Sequence, residues 1–177
     1  MFAVTKRLLL RPGWSNDAPE LARAIADEQI VRNLARAPWP YSKDDARSFV
    51  ELPVDPMFPR FLITRSRDAA LIGCIGIDMT DGQVELGYWI SRPHWGQGYA
   101  TEAGRGVIEV ASTLGYKSLV ASHFLDNPAS GKVLTKLGFS PTGRVVERHS
   151  CGRGEKAPTA EFSLNLSEQS ADWQSAA

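Results

Sequence analysis

Trp95-Gly96-Gln97-Gly98-Tyr99-Ala100-Thr101-Glu102-Ala103 is the stretch on which the fold turns, because the hydrophobic period changes across it. Before it, Val84 to Ile90 alternates: Val84, Leu86, Tyr88 and Ile90 share one face of a strand, and Glu85, Gly87 and Trp89 share the other. After it, Ala100, Ala103, Val107, Val110, Ala111 and Leu114 recur at helical spacing, and Gly115-Tyr116 reads as a left-handed cap. A strand therefore passes into a helix through small residues at 96, 98 and 100, which let a ligand approach the backbone. The first turn of a helix offers unpaired N–H groups and the positive end of its dipole, so phosphate is the natural guest. Alone, a Gly-x-Gly at a helix start specifies only a tight turn. Two nucleotide-binding readings fail on residue identity. A dinucleotide fingerprint needs a third glycine at 101, where threonine stands, and an acidic residue at the next strand end, where Ser122-His123 stand. A Walker-type loop needs Gly-Lys-Ser/Thr, which is absent.

Outward from this turn the chain reads as one mixed α/β domain over 1–167, with residues 168–177 of tail composition and expected to be mobile. Thr5 to Arg11 is the first strand, ended by Pro12-Gly13. Asn16 or Asp17 caps a helix with Pro19 in its first turn and Leu21, Ala22 and Ile25 as its apolar stripe. Further helix is expected over 29–35 and 43–52, with the aromatic loop Ala37-Pro38-Trp39-Pro40-Tyr41 between them. Strands follow over 61–64 and 71–79, and Asp81-Gly82 turns the second into 84–90. Strand 118–124 leads to Asn127, an N-cap with Pro128 behind it, and Gly138-Phe139 closes that helix. A final hairpin pairs 145–149 with 159–166, where Ala160, Phe162, Leu164 and Leu166 alternate with polar neighbours. The expectation is about seven strands in a central, mostly antiparallel sheet flanked by helices.

Lys+Arg and Asp+Glu both number 20 among 177 residues, so no net charge steers the chain to nucleic acid or to a membrane surface. Two cysteines, Cys74 and Cys151, far apart, support neither a disulfide scaffold nor a zinc module, and no metal site is expected. The patch Leu8-Leu9-Leu10 between Arg7 and Arg11 is too short for a signal-peptide core, and no run of about 18 apolar residues occurs, so the protein reads as cytoplasmic. A homodimer is a reasonable assembly, although no apolar stripe demands one.

The order strand, Gly-rich turn, long helix, strand, and then Asn127-Pro128-Ala129-Ser130 opening a helix that ends Lys136-Leu137-Gly138-Phe139, resembles the GNAT superfamily of acetyl-coenzyme A-dependent N-acetyltransferases. Val84-Glu85-Leu86-Gly87-Tyr88-Trp89-Ile90, Trp95 through Ala103 and Lys6-Arg7-Leu8-Leu9-Leu10-Arg11-Pro12 are similar to its RimJ/RimL-like group, and the likeness spans most of residues 5–166. The resemblance implies a splay between the fourth and fifth strands into which acetyl-CoA inserts. It also implies a pyrophosphate held by backbone amides of Gly96, Gln97, Gly98, Tyr99, Ala100 and Thr101 behind Trp95. A strand edge at Trp89, Ile90 and Ser91 would pair with pantetheine, an N–H near Ile90 would serve the oxyanion, and Asn127 would hydrogen-bond the pantetheine arm. The superfamily's loop often opens with Gln or Arg, where this chain has Trp95, a residue familiar in the RimJ/RimL-like group.

Transfer of acetyl to a primary amine needs a base for the amine, support for the oxyanion and help for the departing thiolate. Glu85 is the candidate base, directly or through water; its other reading is a solvent-facing or structural hairpin residue. Many superfamily members place a leaving-group tyrosine where this chain has Leu134; Ser130, one turn earlier, is the substitute donor or else an ordinary first-turn serine. Asn127 also caps its helix. Glu102 reads as structural, on the helix dipole; His94, His123 and His149 read as scattered structural groups. Trp39, Tyr41 and Phe49 either wall the acceptor site or pack the first helices, and Arg148, Arg153 and Lys156 decorate a solvated hairpin loop. The implied acceptor is a protein N-terminal α-amine or a small-molecule amine. The rival reading is a non-catalytic acyl-CoA sensor or regulatory module.

Overall fold

The computed structural model describes residues 1–167; the tail expected over 168–177 lies outside them. Eight strands form one sheet in the order β1-β2-β3-β4-β5-β6-β8-β7. The extra strand arises at the N-terminus. The single run expected over 5–11 is divided into a hairpin of β1 (Ala3–Val4) and β2 (Leu8–Arg11). Thr5 closes the turn itself: its N–H donates to the Leu8 carbonyl at 2.9 Å and its hydroxyl accepts from the Leu8 N–H at 3.1 Å.

A short 3-10 turn leads into α1 (Ala18–Ile25), with Asp17 accepting from the Trp14 N–H and Pro19 in the first turn. α2 spans only Glu28–Val31, started by the Asp27 carboxylate on the Gln29 N–H, so most of the helix expected over 29–35 is loop. α3 (Lys43–Glu51) begins with a reciprocal box between Ser42 and Asp45. β3 (Arg60–Arg65), β4 (Leu71–Thr80) and β5 (Gln83–Ile90) form a meander whose tight turn puts Asp81 and Gly82 at positive φ. α4 (Tyr99–Thr113), β6 (Ser118–Phe124) and α5 (Pro128–Lys136) follow, and β7 (Ser140–Ser150) pairs with β8 (Glu155–Asn165). β7 starts earlier than expected, and its register slips between Pro141 and Val145.

Each sheet face buries its own core. Strand alternation sends Leu8, Leu10, Ile63, Ile75, Leu86, Leu119 and Phe162 toward α4 and α5, where Ala103, Val107, Leu134 and Leu137 meet them. The opposite face carries Leu62, Cys74 and Trp89, cross-strand neighbours in successive ladders, under Leu21, Ile25, Val31 and Ala46 of the first three helices. Burial pushes the Cys74 thiol up to about 12, so it stays a neutral apolar filler.

The sheet is continuous except at its middle. β5 and β6 run parallel and pair at one position, Glu85 opposite Val120. β5 stays zipped to β4 as far as Ile90, and β6 stays zipped to β8 as far as Phe124. Beyond Glu85 the two halves of the sheet therefore part. This opening corresponds to the splay expected between the fourth and fifth strands, renumbered by the additional β1.

Candidate active site

The turn between β5 and α4 is built from a 3-10 segment, Arg92–His94, an extended Trp95, and two glycines in the left-handed region, Gly96 at φ +73° and Gly98 at φ +79°. A Cβ at Gly96 would meet nothing within 4 Å, and at Gly98 only Arg7 Nη2 at 3.6 Å. The backbone turn, not space, thus requires glycine at both. Side chains hold the turn from behind. Trp95 Nε1 donates to the Ile90 carbonyl at 2.6 Å, Gln97 Nε2 to the Pro93 carbonyl at 3.0 Å, and Arg7 Nη1 to the Gln97 carbonyl at 3.2 Å. Ser91 Oγ and His94 Nδ1 meet at 2.7 Å.

Gly98 is the N-cap of α4, and its carbonyl receives the first intrahelical bond, from the Glu102 N–H at 3.0 Å. The amides of Tyr99, Ala100 and Thr101 have no helical acceptor, and they open beside exposed glycines at the positive end of a 15-residue helix. Arg7 lies over the Tyr99 ring, 4.4 Å from its centroid. Glu102 turns the other way: it accepts from Thr5 Oγ1, the Arg7 N–H and Arg7 Nε at 2.6–2.7 Å. Burial pushes its carboxyl up, but these hydrogen bonds and the Arg7 charge outweigh that and hold it below the usual range. Glu102 accordingly ties the first hairpin to α4.

The β5 edge facing the opening is narrower than the sequence suggests. The Ser91 N–H donates to the Ile72 carbonyl at 2.8 Å. Alternation along an antiparallel ladder then turns the backbone groups of Trp89 toward β4 as well, and those of Tyr88 and Ile90 toward the opening. Of the expected trio Trp89, Ile90 and Ser91, only Ile90 presents its backbone to the gap, and its carbonyl already accepts from Trp95. The Trp89 indole is buried in the second core.

Across the gap, Asn127 caps α5, its Oδ1 accepting from the Ser130 N–H at 3.4 Å, which leaves the amide Nδ2 for other acceptors. Ser130 Oγ lies 2.7 Å from the Tyr88 hydroxyl. Leu134 is 1% exposed and belongs to the core, so it does not line the opening. Burial pushes the Tyr88 phenol up to about 12 against the opposing pull of the Ser130 hydrogen bond.

Glu85, at the last paired position before the strands part, is neither solvent-facing nor alone. Oε1 accepts from Ser122 Oγ and Arg148 Nη1, both at 2.8 Å, and Oε2 accepts from the same nitrogen at 2.9 Å. Arg148 also reaches Glu161 at 3.6 Å, and Arg144 reaches it at 3.2 Å. Burial works against the Arg148 charge, and the facing carboxylates more than restore it. A cleft lined by Val120, Thr142, Arg144, Arg148 and Glu161 borders this network.

The hairpin arginines are therefore not all solvated, as the sequence suggested. Arg148 belongs to the Glu85 network, and Arg153, with a side chain 9% exposed, clasps Asp126, Asn33 and the Arg32 carbonyl. Lys156 alone stays exposed. Tyr41 and Phe49 pack on the second core, while Trp39 is 40% exposed. The His123 ring lies 5.5 Å from that of Phe162 and covers Gly131. Sequence reading missed Tyr88, Ser122, Arg148, Glu161 and Arg7 as partners. For Tyr88 a signal existed, since a phenol in an otherwise apolar row must find a hydrogen-bond partner.

The sequence matches the acetyltransferase (GNAT) domain family over residues 7–140. It is 28% identical over 167 residues to the uncharacterized N-acetyltransferase p20 of Bacillus licheniformis, covering 90% of this chain and 93% of that one. An acetyltransferase of the GNAT family from Bacillus anthracis superposes with a TM-score of 0.81 at 19% identity, covering 94% of this chain and 99% of the other. RimL, a ribosomal alpha-N-protein acetyltransferase solved with coenzyme A, superposes with a TM-score of 0.76 at 16% identity, covering 93% and 98%. With three quarters of its length inside the family match, the chain belongs to the GNAT acetyltransferase family.

Proposed function

We propose that the protein transfers the acetyl group of acetyl-CoA directly to a primary amine, a protein N-terminal α-amine or a small-molecule amine, and that it is RimJ/RimL-like within its family. One observation carries this reading: a left-handed glycine pair opens a 15-residue helix beside the place where β5 and β6 part after a single paired position. The residues present fit the cofactor. The free amides at the start of α4 match a pyrophosphate in charge and donor count, and the gap between β5 and α5 offers a slot with polar walls at Ile90 and Asn127. When bound, acetyl-CoA supplies an activated acyl group on sulfur.

In this reading the amides from Gly96 to Thr101 (Gly96, Gln97, Gly98, Tyr99, Ala100 and Thr101) hold the phosphates, and Trp95 fixes the turn through Ile90. Asn127 Nδ2 orients the pantetheine arm. The Ile90 N–H donates to the acetyl oxygen as negative charge builds there. Glu85 accepts the amine proton, through a water where its ion pair with Arg148 keeps it from direct contact. Ser130 donates to the sulfur. The acceptor enters on the face bearing Glu85, Ser122, Arg148 and Glu161, which is the side of the first three helices.

A second reading, a non-catalytic acyl-CoA sensor, is favoured by Leu134, which packs into the core at the family's tyrosine position. Calorimetric titration with acetyl-CoA, repeated on Gly98→Trp and followed by thiol release with a panel of peptides and small amines, separates the outcomes. Binding that the variant loses while its circular dichroism stays native, together with amine-stimulated thiol release, supports the transferase. Binding without stimulation by any amine supports the sensor. A folded wild type that binds no acetyl-CoA sinks both.

A further inference from the structure

The contact between Tyr88 and Ser130 joins the two walls of the opening: Tyr88 stands on β5, and Ser130 on the first turn of the helix that follows β6. Their hydroxyls are 2.7 Å apart, close to the optimum for an O–H···O bond, and either oxygen has a proton to give. Two considerations favour one direction. A phenol is the stronger acid of the two and the better donor. The alternative acceptor for Tyr88, the Ser130 carbonyl, is 3.4 Å away, which is long for a hydroxyl donor. Both considerations make Tyr88 the donor and Ser130 Oγ the acceptor in the arrangement that follows, although the 2.7 Å separation suits either direction.

This has a consequence for Ser130. Ser130 stands in the first turn of α5, where no helical carbonyl lies four residues back to receive its hydrogen. Here the described contacts of Oγ are to Tyr88, and the Ser130 N–H is taken by Asn127. With a donor already on its oxygen, the hydrogen of this half-buried serine is not spent on Tyr88.

We propose that Tyr88 is a positioning residue for acetyl transfer: by donating to Ser130 Oγ it aims the Ser130 hydrogen into the gap between β5 and α5, toward the sulfur that leaves. The proposal rests on the reading of Ser130 given above. No covalent step occurs at Tyr88. When the acyl carbon–sulfur bond breaks, its electron pair stays on sulfur, and the Ser130 O–H hydrogen-bonds that thiolate. The proton given up by the acceptor amine balances the one that sulfur finally takes. Where Leu134 leaves α5 without a phenol at the opening, Tyr88 brings one from the opposite wall, one hydrogen bond removed from the sulfur.

The test is a double-mutant cycle on the full chain with Tyr88→Phe, Ser130→Ala and the pair, read as kcat and KM with saturating amine and as acetyl-CoA affinity by calorimetry. Ser130→Ala should lower kcat by about 10- to 100-fold and Tyr88→Phe by about tenfold. The double variant should be no slower than Ser130→Ala, with every acetyl-CoA Kd within about twofold of wild type. Ser130→Thr, which keeps a hydroxyl at the position, should recover most of the rate and remain sensitive to Tyr88→Phe. A merely packing tyrosine would lower thermal stability or raise KM without this non-additivity. A normal kcat in Tyr88→Phe beside a slow Ser130→Ala overturns the inference and leaves the acetyltransferase reading intact; so does a double variant whose defect is the product of the two. A normal Ser130→Ala removes both residues from the chemistry. Loss of acetyl-CoA binding in the wild type would instead strike the parent reading. Should Tyr88→Phe fail to fold, the comparison of Ser130→Thr with Ser130→Ala still decides whether a hydroxyl there matters, and Tyr88→Leu, which likewise carries no donor, takes the place of the phenylalanine variant.

Discussion

Glu85 and Gly98 show how differently single residues serve the two sides of the opening. Glu85 accepts three hydrogen bonds from Arg148 and Ser122 where the two strands part, whereas Gly98 supplies a backbone angle at the turn before α4. They should therefore fail separately. Glu85→Gln keeps the shape and loses the charge. If Glu85 receives the amine proton, kcat falls by about 10²-fold while acetyl-CoA affinity measured by calorimetry stays unchanged; an unaltered rate at neutral pH leaves Glu85 as the anchor of Arg148 and nothing more. Gly98→Ala places a Cβ where φ is +79°. A side chain in the left-handed region costs about 1–2 kcal/mol, so the loop tilts or the molecule loses that stability. The expected result is acetyl-CoA binding weakened by about tenfold with kcat at saturation little changed, the reverse of the Glu85 pattern.

At the scale of elements, α1 depends on a pair that precedes it. Arg11 grips Asp17 with two bonds of 2.7 Å while Asp17 also accepts from the Trp14 N–H, and both side chains are about nine-tenths covered. Burial pushes the Asp17 carboxyl up, but Arg11 and the Trp14 amide outweigh it and hold it below 3.8. Asp17→Asn should cost about 2–3 kcal/mol and lower Tm by about 5–10 °C near neutrality, because Arg11 is left covered without its counter-charge. The sign with pH follows from the lowered value. This stabilisation is complete above the unfolded carboxylate value of 3.8 and is lost as pH falls through the folded one. Thermal melts from pH 6 to pH 2 should show the gap between wild type and variant closing at the acid end; a constant gap would mean that the carboxylate charge is not what matters. Elements of this kind were legible in the sequence where a local signal existed: Asp81-Gly82, the glycines before α4 and Asn127 before α5. The β1–β2 turn was not, since Thr5-Lys6-Arg7 contains no turn residue and the Thr5 side chain does the work of one. Of β7 only the part over 145–149 was, because the residues before it are exposed and carry no alternation. In the site, the glycine turn before α4 was legible because it is contiguous. The partners of Glu85 were not, because Ser122 and Arg148 lie 37 and 63 residues away and only the strand order brings them together.

The whole molecule is two half-sheets hinged at one pair of residues. β1 to β5 form one half and β6, β8 and β7 the other, joined at Glu85 and Val120 and covered on opposite faces by separate cores. A strand edge left open inside a sheet is ordinarily a liability, since its amides lack partners. Here the opening is maintained because α4 and α5 fill the space behind it, with Leu134 and Leu137 set into the core. This architecture makes a prediction about individual amides. In the ladder, the Trp89 and Ser91 groups face β4, so their N–H groups are held by a long antiparallel pairing. Those of Tyr88 and Ile90 face the gap and have no strand opposite. Hydrogen exchange followed by NMR should therefore alternate along β5 in the free protein, with Tyr88 and Ile90 exchanging at least about tenfold faster than Trp89 and Ser91. On the proposed reading, in which the Ile90 N–H serves the acyl oxygen, acetyl-CoA should slow Ile90 most and should also slow the amides of Tyr99, Ala100 and Thr101. Uniform protection from Val84 to Ile90 without ligand would mean that the two halves close on each other in solution. Alternation that acetyl-CoA leaves untouched would mean that the gap is real but is not where the cofactor lies.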